Sequence, residues 1–127
     1  MTQFVFPPAV IPSVAVRGQV QRYAVTRIFC IGRNYANHVK EMGGDPKSEA
    51  PIYFTKPANA ITASGSSITY PSATQNYHHE IELVVAIGAG VFHRVGVEQA
   101  KAAIWAYACG LDMTRRDLQN VAKAAGQ

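Results

Sequence analysis

In the stretch HHEIELVVAIG, His78 to Gly88, two carboxylates stand one residue apart in an otherwise apolar run. If this run is a strand, alternate side chains share a face. His78, Glu80, Glu82, Val84 and Ala86 then lie on one side, and His79, Ile81, Leu83, Val85 and Ile87 on the other. Two strand rises put the Glu80 and Glu82 Cβ atoms roughly 6 to 7 Å apart, close enough for both carboxylates to reach one ion. The same alternation is the ordinary signature of a strand with one wet face, and on the pattern alone that plainer reading is the stronger.

Two other stretches carry groups with chemistry in them. GRNYANHVKEMGG sets His38 and Glu41 three residues apart, neighbours on a helix, where the carboxylate can orient the imidazole as a general base toward water. A solvated His–Glu contact has the same spacing. In GLDMTRRDLQ, Asp112 stands just ahead of a predicted helix start, and Arg116, Gln119 and Lys123 recur on one helical face, donors that could hold an anion beside a carboxylate. The alternative is a turn residue followed by a solvated basic face. Taken together, Glu80, Glu82 and Asp112 offer three oxygen ligands with no cysteine among them. His78 and His79 point to opposite faces of a strand and cannot both serve one metal. Such a set describes a hard octahedral cation, Mg²⁺ or Mn²⁺, better than zinc, with water and substrate in the remaining positions. The glycines at 88 and 90 do not make a dinucleotide loop, because His93 holds the third glycine position. Lys56 and Trp105 read as packing or surface residues.

The elements that must position these groups follow from periodicity and punctuation. Thr26–Ile31 predicts a strand, and Asn34 a cap for a short helix through Met42, ended by Gly43-Gly44. Pro51–Phe54 and Ser67–Tyr70 predict short strands separated by a turn at Ser64-Gly65. Val97, Ala100, Ile104 and Tyr107 fall at helical spacing, and Thr114 with Asp117 fits a capping box for a last helix over Arg115–Ala125, closed by Gly126. Strands dominate early and alternate with helices later, which favours an α+β fold over a doubly wound one.

At 127 residues with 48% hydrophobic and 16% charged side chains, the chain has the composition of a globular protein with one modest core. Its net charge of +4 is scattered, without the basic block or stripe that nucleic-acid binding would need. Cys30 and Cys109 lack paired spacing and read as buried, reduced thiols. The apolar opening has no basic leader and is cut by Pro7, Pro8 and Pro12, against a signal peptide or membrane span, so a cytoplasmic location is expected.

The motifs GRNYANHVKEM, YFTKPANA, HHEIELVVAIG and GLDMTRRDLQ occur in this order. Each is weak alone. As a series they resemble the fumarylacetoacetate hydrolase family from about Arg27 onward, and YACGLDMTRRDLQ with the Pro-rich lead is most similar to its fumarylpyruvate hydrolases (acylpyruvases). The resemblance implies a β-rich mixed sheet, the β-roll of the family's C-terminal domain, of which this chain would hold the first half. Residues 1–22 would form an N-terminal extension and 23–127 the N-terminal half of the catalytic domain. Family members continue past the RRDLQ helix into a segment with a substrate-contacting lysine, which Lys123, inside that helix, does not match. It also implies Glu80, Glu82 and Asp112 as ligands of Mg²⁺ or Mn²⁺, His38 with Glu41 as the water-activating pair, and Arg116 and Gln119 as contacts to the substrate's carboxylate and keto oxygens. The reaction implied is hydrolysis of a carbon–carbon bond in a small dicarboxylic 2-oxo acid, an acylpyruvate such as fumarylpyruvate, in aromatic catabolism, by a cytoplasmic homodimer. The metal would polarise the oxo-acid end while His38 takes a proton from the attacking water. Two other readings stand beside it. One is a truncated, non-catalytic remnant that binds metal, diacids or a partner chain; the other is decarboxylation of oxaloacetate.

Overall fold

The computed structural model describes residues 2–35, 51–88 and 93–126. The predicted helix at 34–42, with His38 and Glu41, lies outside the described residues. By their contacts the residues form two units, Met1–Ile68 and Thr69–Gln127.

In the first unit, β1 (Ser13–Ala15) pairs antiparallel with β2 (Arg22–Ala24), and β3 (Ile28–Gly32) with β4 (Ile52–Lys56). The Pro-rich lead is tied into this unit. The Val25 N–H donates to the Pro12 carbonyl at 2.8 Å, and the Arg22 guanidinium donates to both the hydroxyl and the carbonyl of Ser13. A 3-10 turn, Ala58–Ala60, follows β4. The predicted turn at Ser64-Gly65 is present, with Gly65 at φ +83°, a conformation that costs other residues strain. Ser67–Tyr70 is not a strand.

The second unit is built on one long antiparallel ribbon, β5 (Tyr77–Ile87) with β6 (Ile104–Arg115), joined through α1 (Val97–Ala102) and followed by α2 (Arg116–Ala124). Helical spacing from Val97 to Tyr107 misled. Only the first turn and a half is helical, its start tied by the Gly96 N–H donating to Gln99 Oε1 at 3.2 Å. From Ile104 onward the β-branched and aromatic residues Ile104, Trp105 and Tyr107 find partners along β5, and a ladder of backbone bonds overrides the periodicity. One extra residue, Trp105, is accommodated where Ala86 faces Ala106 and Ile87 faces Ile104, a bulge near the ribbon's end.

Asp112 therefore lies inside β6, four residues ahead of the start of α2. The capping box expected from Thr114 and Asp117 is not formed. The Thr114 hydroxyl donates to Glu80 Oε2 at 2.9 Å, and Arg115 holds the N-cap position without a side-chain cap. At its other end α2 stops as expected, with Gly126 at φ +72°. All three sheets among the described residues are antiparallel pairs, and with two α-helices they make the strand-rich α+β class expected. Only Val25 and Thr74 are buried among them, so the modest core is smaller than composition suggested. Cys109 is exposed and Cys30 half-buried, neither in a disulfide. No helix among the described residues is long and apolar enough to cross a membrane.

Candidate metal and oxo-acid site

The β5–β6 register decides which side chains can meet. Glu80 lies directly opposite Asp112, His78 opposite Thr114 and Glu82 opposite Gly110. In an antiparallel pair, opposed residues project to the same face with Cβ atoms about 4.5 to 5.5 Å apart, and diagonal neighbours lie about 7 to 8 Å away. Glu80, Glu82 and Asp112 thus share one face of one ribbon. All three are half-buried, whereas the apolar face behind them is open, with Ile81 71% and Leu83 63% exposed. The alternation is as read from the sequence, but the acidic side is the more sheltered one.

Two acids set opposite each other repel, by roughly 0.2 to 1 kcal/mol for a pair of this kind. The fold answers with a cation. The Arg116 guanidinium, the first residue of α2, makes an ion pair with Glu80 Oε1, while Gln119 Oε1 accepts a second hydrogen bond from the same guanidinium. Side-chain exposures of 16% for Arg116 and 26% for Glu80 place this pair under partial cover, where charges act more strongly than in open water. Lys123, the third member of the predicted basic face, is exposed and makes no such contact.

As the side chains stand, no three His, Cys, Asp or Glu groups among the described residues close around a common point. Glu80 is turned to Arg116 and Thr114. The donor set nevertheless suits a hard divalent cation: carboxylates only, from two strands whose pairing fixes their separation, with no thiolate on that face. Space is kept on that face as well. A Cβ on Gly110, opposite Glu82, would stand 2.8 Å from Val84 Cγ2, nearer than side-chain carbons approach.

Three successive residues that the sequence reading passed over, 74–76, hold this arrangement together. Thr74, 4% exposed, donates its hydroxyl to Asp117 Oδ1 at 2.5 Å, and the Gln75 N–H donates to Asp117 Oδ2 at 2.8 Å. The Arg116 N–H donates to the Asn76 carbonyl at 2.8 Å. The Thr74 hydroxyl bond and then the Gln75 N–H hold the Asp117 carboxyl below its usual range. The signal available in the sequence was an acid in the first helical turn, but its partner lies 43 residues away, beyond any local motif.

The sequence matches the family description "Fumarylacetoacetate (FAA) hydrolase C-terminal" over residues 27–127. It is 51% identical over 83 residues to a fumarylpyruvate hydrolase of a Ralstonia species, covering 65% of this chain and 43% of that protein. To an oxaloacetate tautomerase of Escherichia coli it is 40% identical over 111 residues, covering 87% of this chain and 50% of that one. Among solved structures, the fumarylpyruvate hydrolase of Pseudomonas aeruginosa, in complex with Mn²⁺ and pyruvate, superposes with a TM-score of 0.89 at 48% identity, over 98% of this chain and 55% of that one. The chain spans about half the length of the relatives it matches.

Proposed function

We propose, from the premise that this chain belongs to the fumarylacetoacetate hydrolase family, that it carries the metal-binding half of a hydrolase that cleaves the carbon–carbon bond of acylpyruvates, fumarylpyruvate foremost. The observation that carries the reading is the register that sets Glu80 against Asp112 with Glu82 on the same face. The likeness to fumarylpyruvate hydrolases, one of them a complex with Mn²⁺ and pyruvate, supports both the cation and a 2-oxo acid ligand.

In this reading Glu80, Glu82 and Asp112 hold Mg²⁺ or Mn²⁺. The cation's contribution when bound is to polarise the oxygens of the oxo-acid end of the substrate. Arg116 and Gln119, at the start of α2, bind and orient the substrate's carboxylate and keto oxygens. His38 takes a proton from water as the water oxygen bonds to the distal carbonyl carbon. The carbon–carbon bond then breaks, its electron pair leaving with the pyruvate enolate, which takes the proton from the imidazolium that Glu41 steadies. The products are pyruvate and a second acid, fumarate for fumarylpyruvate. A cytoplasmic homodimer in aromatic catabolism completes the proposal.

A second reading rests on the relatives named oxaloacetate tautomerases, among them the Escherichia coli protein that matches 87% of this chain. Those names attach the oxaloacetate alternative to movement of a proton between keto and enol forms rather than to decarboxylation. Both readings use the same grip on a 2-oxo acid. They separate on product: the hydrolase consumes the ultraviolet chromophore of an acylpyruvate and yields pyruvate, whereas the tautomerase speeds decay of the oxaloacetate enol band while total oxaloacetate stays constant and no pyruvate forms. Folded, metal-loaded protein that leaves the acylpyruvate chromophore intact would rule out the first reading.

A further inference from the structure

Almost nothing in the second unit is buried, yet a threonine is. The side chain of Thr74 is enclosed where the chain enters β5, and its hydroxyl is committed to Asp117 at 2.5 Å while also accepting the Asn76 N–H at 3.1 Å. Asp117 is the second residue of α2. A carboxylate there ordinarily serves its own helix through unsatisfied N–H groups. Asp117 does accept the Leu118 N–H at 3.0 Å, but both its oxygens also reach back across the fold, one to the Thr74 hydroxyl and one to the Gln75 N–H. With the Arg116 N–H bound to the Asn76 carbonyl, three bonds join residues 74–76 to the first two residues of α2.

The residue held between these anchors is Arg116. Its backbone is fixed by Asn76, its successor by Thr74 and Gln75, and its side chain lies against Glu80 and Gln119. A guanidinium on a long, rotatable stem meets a carboxylate productively only when the stem's root is fixed, because each freed rotamer dilutes the bound geometry. None of these bonds involves Glu82 or Asp112.

We infer that Thr74 and Asp117 form a positioning clamp that fixes the Arg116 guanidinium over the acidic face, so that loosening it lowers affinity for an oxo-acid carboxylate without lowering affinity for the cation, which competes with Arg116 for Glu80. The inference rests on the functional reading above for the identity of the ligand, and on the hydrogen bonds alone for the clamp.

The experiment uses full-length protein carrying Thr74→Val, Thr74→Ser or Asp117→Asn. Mn²⁺ binding is followed by electron paramagnetic resonance, pyruvate binding to the Mn²⁺-loaded protein by calorimetry, and solvent exchange of the Arg116 Nη–H protons by nitrogen-15 NMR in the metal-free protein. Thr74→Val is expected to weaken pyruvate binding about tenfold while Mn²⁺ affinity is unchanged or rises by up to about fivefold, with faster exchange at the Arg116 Nη–H protons. Thr74→Ser, which keeps the hydroxyl, is expected to restore all three. A merely structural role would lower metal and pyruvate affinity together, and that outcome overturns the clamp, as does unchanged pyruvate affinity in folded Thr74→Val. Should Thr74→Val fail to fold, Asp117→Asn carries the same expectations. Wild-type protein that binds neither Mn²⁺ nor pyruvate would refute the functional reading; the Arg116 exchange rate then decides the clamp, and an unchanged rate in the variants overturns it.

Discussion

Replacing Arg116 by methionine is expected to move cation and oxo-acid affinity in opposite directions. Arg116 already neutralises Glu80 by a direct ion pair, so a divalent cation arriving at Glu80 must displace that contact. The pair is partly exposed, 16% at Arg116 and 26% at Glu80, so its worth is discounted to about 1 kcal/mol. Methionine keeps much of the aliphatic stem and removes the charge. Losing a competitor worth about 1 kcal/mol tightens Mn²⁺ binding by about fivefold, since 1.4 kcal/mol is tenfold. Pyruvate loses a charge-assisted hydrogen bond worth roughly 1.5 to 3 kcal/mol, or about ten- to a hundredfold in affinity. Titration of Mn²⁺ by electron paramagnetic resonance and of pyruvate by calorimetry, on the same preparation, reads both. A folded Arg116→Met protein whose Mn²⁺ affinity is unchanged or lower would refute the idea that Arg116 and the cation compete for Glu80.

Glu82→Ala is expected to weaken Mn²⁺ binding at least tenfold through loss of a ligand, whereas His38→Ala should leave Mn²⁺ affinity intact and abolish turnover; equal metal loss in both would contradict the separate roles given to them. Gly110→Val should cost about 1 to 3 kcal/mol in denaturant unfolding, because its Cβ would sit 2.8 Å from Val84 Cγ2, and a cost below about 0.5 kcal/mol would show that the ribbon yields there. Asp117 titrates below its usual 3.8, chiefly through the Thr74 hydroxyl. Its contribution to stability is therefore fully present above the unfolded value and lost as pH falls through the lower folded one. Acid unfolding followed by circular dichroism should show this loss below about pH 4 in wild type and not in Asp117→Asn, and superposed curves would exclude it.

The acidic pair was legible because a period of two is blind to context: once HHEIELVVAIG is a strand, Glu80 and Glu82 share a face whatever surrounds them. Which face is sheltered was not legible. Alternation gives relative orientation, and the shelter over Glu80 comes from Arg116 and Thr114, residues more than 30 positions away. Asp112 was expected just ahead of the last helix, where it stands, but the long strand that carries it was not foreseen, because Val97, Ala100, Ile104 and Tyr107 satisfy a helical period that long-range pairing with β5 overrules. Thr114 and Asp117 failed in the opposite sense. Their local spacing fits a cap, but each found a distant partner, Glu80 for the threonine and Thr74 for the acid. His38 and Glu41 lie outside the described residues, so their pairing rests on spacing and resemblance.

The strand-to-helix transition at Arg115–Arg116 explains how one short stretch can bring the carboxylate proposed to hold the metal and the guanidinium proposed to bind the anion to the same face. Along β6, residues at a spacing of two keep Asp112 and Thr114 on the acidic face, directly across from Glu80 and His78. Continued in the same period, residue 116 would project from that face as well, but beyond the partner strand, which begins at Tyr77. Beginning a helix at that residue changes the period to 3.6, so Gln119 comes round beside Arg116 instead of pointing away from it. The turn into α2 is thus what converts a row of strand side chains into a cluster. It holds only if the first helical turn is anchored against β5, and the bonds from residues 74–76 to Arg116 and Asp117 provide that anchor. Opposed carboxylates and the guanidinium that relieves them are then consequences of one register and one change of period. A cation that replaces the guanidinium at Glu80 would leave Arg116 available to an incoming carboxylate, which couples the two binding events through a single side chain.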